Sequence, residues 1–304
     1  MSAATVNTVG VVGLGQMGGH VAGRLLDLGH EVHGTDRAKV ESLIARGLQW
    51  HDTPREVADA VDVVISMVTD DVALQAITGG PDGIVAGLAP GQVYVDMSSV
   101  SPHASAQVAE RVRSAGAQML DAPVSGSVPQ VEAGTLAIMV GGDDATFRRV
   151  EPLLRQLGQT VTRVGDNGAG ALLKLAINIS LAAQALAFSE GLLLAERGGV
   201  DPRLAAEVMS QSPIGSPMLK ARVPLLLDLP DDAWFTMRLM QKDIGLALEE
   251  AQRLAVPLPS AGAAAGLLAK ATELGYGDRD IAGFHEVLAK ISRSAAAPGG
   301  QIAS

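Results

Sequence analysis

The chain contains no cysteine, which excludes disulfides, thiolate metal sites and a cysteine nucleophile. Aromatic residues make up only 3% of it, too few for the ring-stacking platforms that hold single strands of nucleic acid. Basic residues are in the minority, 23 Lys and Arg against 33 Asp and Glu, for a formal charge of −10. With no basic block, neither nucleic acid nor another polyanion is an expected partner. The six histidines (His20, His30, His33, His51, His103, His285) lack metal-ligand spacing, so no metal site is expected. The opening stretch MSAATVNTVGVVGLG has no basic region and no signal-type apolar core. No run reaches the ~18 apolar residues of a membrane helix. The expectation is a soluble, cytoplasmic protein.

What the chain does have is Ala, Val and Leu, with 47% of its 304 residues hydrophobic. That is enough for a large core and, by length, for two domains. Over roughly the first 160 residues, short β-branched runs alternate with helical patterns. TVGVVGLG, HEVHGTD, ADVVISMV, GQVYVDMSS, QMLDAPVSG and LAIMVGG read as strands. QMGGHVAGRLLDLG and RAKVESLIARG read as helices closed by Gly29 and Gly47. Such alternation predicts a mostly parallel sheet with helices on both faces. From residue 170 the chain reads as almost wholly helical. GALLKLAINISLAAQALAFSEGLLLAERGG predicts one long helix, apolar on most of its circumference. A helix of that kind belongs in a domain or subunit interface, so at least a homodimer is expected.

VVGLGQMG places Gly13, Gly15 and Gly18 in a G-x-G-x-x-G pattern, after a hydrophobic strand and at the opening of a helix. In that context the first glycine makes a tight turn and the second admits a pyrophosphate. The third lets helix and strand pack closely. Gly13, Leu14, Gly15, Gln16, Met17 and Gly18 are the candidate cofactor loop. Asp36 lies at the roughly 20-residue offset of an acid that binds ribose hydroxyls, which favours NAD. Arg37 follows it and could pair with the extra phosphate of NADP, so that cofactor stays open. Ligands in such sheets collect at the carboxyl ends of strands, which adds Val68 and Thr69, and the Ser98–Ser99 pair. Ordinary strand-end capping explains those residues equally well. The fold class is α/β: an N-terminal Rossmann doubly wound sheet over 1–165, then an all-α C-terminal domain over 166–293 for substrate and dimerisation. Residues 294–304 are expected to fray.

Ser125, Gly126 and Ser127 offer hydroxyls and backbone N–H groups to a small carboxylate-bearing substrate, although an ordinary polar turn has the same composition. Lys174 interrupts an apolar helix, with Asn178 four residues on and on the same face. An amine in apolar surroundings exchanges its proton more readily near neutral pH, as a general acid/base requires. The competing account is a lysine that buries its stem and keeps its amine wet.

Four blocks carry a resemblance. They are GLGQMG (13–18), DAPVSGSVPQVEAGTLAIMVGG (121–142), GAGALLKLAIN (168–178) and LMQKDIGLALEEA (239–251). Together they resemble the β-hydroxyacid dehydrogenase family of 3-hydroxyisobutyrate dehydrogenases, tartronate semialdehyde reductases and glyoxylate/succinic semialdehyde reductases. The resemblance implies that Lys174 is the general acid/base and that Asn178 positions the substrate. It implies that Ser125, Gly126 and Ser127 hold a carboxylate, that Ser99 lies near the nicotinamide, and that Lys242 lies close to the cofactor. Asp243 reads as orienting or structural. Three features depart from the common pattern or divide between branches. Gly126-Ser127 stands where many members have two glycines, and Ile177-Asn178 where many have two asparagines. Ser127 is similar to the glyoxylate and succinic semialdehyde branch, whereas Asp36-Arg37 is similar to the NAD-using tartronate semialdehyde branch. The expected activity is hydride transfer between a nicotinamide cofactor and a small β-hydroxy acid or its semialdehyde. The rivals are an imine reductase or reductive aminase on the same scaffold, and a non-catalytic dinucleotide-binding module. Related imine reductases usually lack the lysine, and non-catalytic relatives have lost it.

Overall fold

The computed structural model describes residues 8–296. By internal contacts the chain divides into two units, Met1–Leu175 and Ala176–Ser304. The first opens with β1 (Thr8–Val12), α1 (Gln16–Asp27), β2 (Glu31–Thr35), α2 (Glu41–Ala45), β3 (Gln49–Trp50), α3 (Pro54–Ala60) and β4 (Val63–Ser66). It continues through α4 (Asp71–Thr78), α5 (Ile84–Gly87), β5 (Val93–Asp96), α6 (Pro102–Ser114), β6 (Gln118–Asp121) and β7 (Val124–Ser125). It then runs through α7 (Val128–Ala133), β8 (Leu136–Gly141), α8 (Asp144–Leu157) and β9 (Gly158–Gly165) to α9 (Ala169–Arg197). The strands form one sheet in the order β3-β2-β1-β4-β5-β6-β8-β7, with β9 paired to β8.

The strands β3 to β6 in that order are all parallel. Such strands are buried on both faces, and alternate residues serve opposite sides. Val63 and Ile65 of β4, with Val93 and Val95 of β5, join one core with α1 and α8. Val64 and Tyr94 join the other, against α3 and α6. The helices are capped by short polar residues: Asp70 accepts from Ala73 N–H, and Ser101 from Ala104 N–H.

In the second unit, α9 is followed by α10 (Pro202–Gln211), α11 (Pro217–Leu227), α12 (Met237–Leu254) and α13 (Pro259–Glu273). A 3-10 turn (Ile281–Gly283) then leads into α14 (Phe284–Ala296). α9 is apolar nearly all round because it serves two cores. Ala182, Ala185 and Leu186 pack with α12, α13 and α14, whereas Phe188 and Leu192 pack with α10 and α11.

Several elements differ from expectation. α2 is a single short turn, Glu41–Ala45, where a helix over 37–47 was expected. β3 and β9 were not anticipated, and β7 and β8 pair antiparallel. By length and composition, α9 could cross a membrane, with 39% of its most apolar window buried. The uninterrupted-run criterion missed it because Lys174, Asn178 and Gln184 punctuate the run. Asn178 and Ser189 are buried and hydrogen-bonded to protein groups, so the helix packs against protein. The expected terminal tail falls mainly on 297–304, outside the described residues.

At the carboxyl ends of the strands, one register row holds Val12, Ser66, Asp96, Asp121 and Gly141. Ser66 Oγ and Ser98 Oγ donate to Asp96 Oδ1 at 2.7 and 2.6 Å. Tyr94 Oη lies 2.7 Å from Ser66 Oγ. Asp96 Oδ2 is buried with no hydrogen-bond partner. Burial pushes the Asp96 carboxyl up to about 6, against the pull of those serine bonds. A carboxyl whose folded pKa lies above its unfolded one stabilises most fully at low pH and loses that contribution as pH rises through the folded value. From about pH 4 to pH 7, wild type should therefore lose about 2 kcal/mol of stability relative to Asp96→Asn. Urea unfolding followed through Trp50, in a Trp234→Phe background, would read this in the first unit. Identical pH slopes for the two proteins would rule out Asp96 as the titrating group.

Candidate active site

β1 ends at Val12, and the chain turns through Gly13 with φ +90°. A Cβ there would lie 2.4 Å from Met67 O, and one at Gly18 would lie 1.9 Å from Gly13 O. Packing alone therefore demands those two glycines. Gly15 differs. It is exposed, its backbone is extended (φ −64°, ψ −164°), and a Cβ on it would meet nothing within 4 Å. The space such a Cβ would fill opens at the N-terminus of α1, where N–H groups and the helix dipole favour an anion. A dinucleotide pyrophosphate fits that opening.

Asp36, just beyond β2, accepts Leu14 N–H on Oδ2 at 2.7 Å and Arg37 N–H on Oδ1 at 2.6 Å. It ties the glycine loop to the second strand, and each oxygen keeps a lone pair for a ribose hydroxyl. Leu14 itself turns inward: its side chain is in the core and its N–H is engaged by Asp36. Gln16 and Arg37 are exposed, and Met17 is half-buried. Val68 N–H donates to Ser98 Oγ at 2.9 Å, so the end of β4 hangs from the Asp96 network. Thr69 is exposed and bonds Asp70, and Ser99 is half-buried just past β5.

The turn after β7 runs through Gly126 at φ +136°, where a Cβ would meet Leu136 Cδ2 at 2.7 Å. Ser127 N–H and Oγ–H both donate to Gln130 Oε1 at 2.9 Å. The turn can thus focus two donors on one oxygen. Four residues before Ser125, the Asp121 carboxylate accepts Gly168 N–H on Oδ1 at 2.8 Å and Ala171 N–H on Oδ2 at 3.0 Å. Burial pushes Asp121 up, and those two amide bonds pull it back. Lys174 follows Ala171 on α9. It is half-buried rather than enclosed, and its neighbours Leu172 and Leu173 are 39% and 38% exposed. The apolar surroundings expected for it are incomplete in a single chain.

In the second unit, Asn178 is fully buried and donates from Nδ2 to Asp243 Oδ2 at 2.5 Å. Lys242 Nζ lies 2.6 Å from Asp243 Oδ1. Thr236 caps α12, which carries both Lys242 and Asp243. Asn178 Oδ1 is buried and has no hydrogen-bond partner. Asp243 therefore orients two of the expected site residues, and Asn178 gives one of its two amide donors to the protein.

Three residues with evident work at these strand ends were not singled out from the sequence: Asp96, Asp121 and Gln130. Asp96 and Asp121 act through contacts between separate elements that sequence periodicity does not encode, whereas Gln130 forms a capping box with Ser127 that the Ser-x-x-Gln spacing signals. The available signal was local. Asp121 opens the DAPVSGS block, and the GAGA stretch before Lys174 offers backbone N–H groups but no capping side chain.

A glycine loop between strand and helix, with an acid after the second strand, is the arrangement of a dinucleotide-binding domain. Residues 8–165 match the "NAD binding domain of 6-phosphogluconate dehydrogenase", and residues 168–288 match the "NAD-binding of NADP-dependent 3-hydroxyisobutyrate dehydrogenase". The chain is 37% identical over 253 residues to the 2-hydroxy-3-oxopropionate reductase of Escherichia coli (strain K12), covering 83% of this chain and 87% of the relative. It is 35% identical over 260 residues to the 3-hydroxyisobutyrate dehydrogenase of Pseudomonas aeruginosa, covering 83% and 87%. The solved 3-hydroxyisobutyrate dehydrogenase of Salmonella typhimurium superposes with TM-score 0.85 at 28% identity, over 92% of this chain and 99% of that one. The chain belongs to the β-hydroxyacid dehydrogenase family, and it is an NAD(P)-dependent enzyme. A solved imine reductase from a Pseudomonas species shares the fold at 22% identity and TM-score 0.62.

The two kinds of glycine separate in a simple experiment. Gly15→Ala should weaken NAD(H) binding by about tenfold or more, with the melting temperature unchanged. Gly18→Ala should lower stability by about 1–3 kcal/mol through backbone overpacking. Calorimetric titration and thermal melts would read both. Wild-type cofactor affinity in Gly15→Ala would remove the pyrophosphate from that opening.

Proposed function

We propose that the protein transfers hydride between a nicotinamide cofactor and the carbinol carbon of a small β-hydroxy acid, or the corresponding semialdehyde. Lys174 is its general acid/base. The observation that carries this reading is the shared anchor of two elements. The helix bearing Lys174 starts on the carboxylate of Asp121, the strand end that leads into Ser125–Ser127. The Gly13–Gly18 loop would hold the cofactor's pyrophosphate, and the bound nicotinamide would supply or accept the hydride. The neutral Lys174 amine takes the alcohol proton in oxidation, and the ammonium returns it in reduction. Ser125, Gly126 and Ser127 hold the carboxylate, an orientation effect that can supply several kcal/mol of barrier lowering. Asn178, held by Asp243, positions the substrate or the lysine with its remaining groups. Lys242 and Ser99 serve the cofactor side. Asp36 favours NAD, with NADP accepted through Arg37.

In this reading residues 1–165 hold the cofactor, and residues 166–293 serve substrate and dimerisation. The enzyme works in the cytoplasm as a homodimer or larger homo-oligomer. Leu194, Leu204, Val208 and Ile214 in the second unit are 76%, 55%, 59% and 72% exposed, apolar side chains that another copy could cover. Light scattering should return at least twice the 31.1 kDa chain mass. A monomer at micromolar concentration would count against this assembly.

Activity is tested by following reduced-nicotinamide absorbance. The panel offers 3-hydroxyisobutyrate, 3-hydroxypropionate, glycerate and 4-hydroxybutyrate in one direction, and glyoxylate, succinic semialdehyde and tartronate semialdehyde in the other. Lys174→Ala should cut turnover about 10²–10⁴-fold while cofactor affinity survives. Undiminished turnover in that variant would show that Lys174 is not the acid/base.

A further inference from the structure

We propose that Asp121 is a positioning residue for catalysis: its buried carboxylate clamps the first turn of α9 to the end of β6 and thereby sets the reach of Lys174. The proposal rests on Lys174 as the acid/base group.

Four observations carry it. First, α9 has no capping side chain of its own. The carbonyl of Gly168 accepts Leu172 N–H at 2.9 Å, which makes Gly168 the N-cap, and a glycine has nothing to offer the next N–H groups. Asp121, 47 residues earlier, supplies that oxygen, taking the N-cap N–H of Gly168 and the third-position N–H of Ala171 on separate oxygens. Second, the carboxylate is enclosed. Asp121 is 1% exposed, and a Cβ on Gly141 would come within 2.5 Å of Oδ1 and 2.7 Å of Oδ2.

Third, the helix approaches at backbone distance. A Cβ on Gly170 would lie 2.5 Å from Met139 O, 2.8 Å from Asp121 O and 2.9 Å from Asp121 Oδ2. Only a glycine lets the helix seat this closely. Asn167 adds a parallel tie, donating from Nδ2 to Met119 O at 2.9 Å. Fourth, Lys174 lies three residues beyond the clamped Ala171, the spacing of one helical turn. In the other direction, β6 runs through Ala122 and Pro123 into Val124 and Ser125. One carboxylate therefore registers the lysine against the carboxylate-holding turn. A misplacement of about 1 Å at such a point can cost about 10²-fold in rate.

Asp121→Asn keeps the size of the side chain but leaves one acceptor oxygen for two N–H groups. In the full-length enzyme it should lower kcat by about tenfold or more, with KM for the hydroxy acid and Kd for the cofactor changed by no more than about threefold. The double variant Asp121→Asn/Lys174→Ala should be no slower than Lys174→Ala alone, because a residue that acts through the lysine has nothing left to position. Wild-type kcat in Asp121→Asn, or losses that multiply in the double variant, would overturn the proposal. Undiminished turnover in Lys174→Ala would sink the acid/base reading instead, so the two failures are distinct. Circular dichroism and melting show whether Asp121→Asn folds. If it does not, Asn167→Ala removes the outer tie and should show the same kcat loss, again without effect in the Lys174→Ala background. An unchanged kcat there would also overturn the proposal.

Discussion

A carboxylate withdrawn from water must find hydrogen-bond donors, or the fold that buries it suffers. At the carboxyl ends of this sheet two aspartates face that demand side by side, Asp96 and Asp121 in register on neighbouring strands: Asp121 finds donors for both oxygens and Asp96 for one. Asp96 is met by two serine hydroxyls and Ser98 N–H on one oxygen. Asp121 is met by the N-terminal N–H groups of α9. Much of what surrounds the candidate site follows from these two solutions. Ser98, fixed by Asp96, holds Val68 at the end of β4. α9, fixed by Asp121, starts where Lys174 comes one turn later.

The glycine loop obeys a different constraint. Gly13 and Gly18 are demanded by the protein's own atoms, and Gly15 by none of them. The same glycine pattern therefore contains two positions that packing requires and one, Gly15, that packing leaves open. Asp36 joins loop and second strand through Leu14 N–H, so the acid proposed for the ribose also braces the glycine turn.

Much of this was legible in the sequence because it is local. Strand–helix alternation, the glycine spacing, the acid after the second strand and the length of α9 are all written in neighbouring residues. β3, with two residues, is too short to show a period, and β9 adjoins α8 without a turn between them. The antiparallel pairing of β7 with β8 depends on a turn whose course is set by Gly126. The polar contacts were out of reach for another reason. Asn178 and Asp243 are 65 residues apart, and Asp121 and Gly168 are 47 apart. The sequence singled out Asn178, but its contact with Asp243 appears only when α9 and α12 are packed together.

Gln130 has a consequence of its own. Its carboxamide oxygen already holds both donors of Ser127, so any oxygen that arrives there enters by exchange rather than by filling an empty place. A neutral amide or hydroxyl would replace like with like and gain little. An anionic oxygen would gain, because hydrogen bonds to a charged acceptor are roughly twice as strong as neutral ones. If Ser127 holds the substrate as proposed, a resident acceptor of this kind would act as a threshold that favours an anionic oxygen over a neutral one.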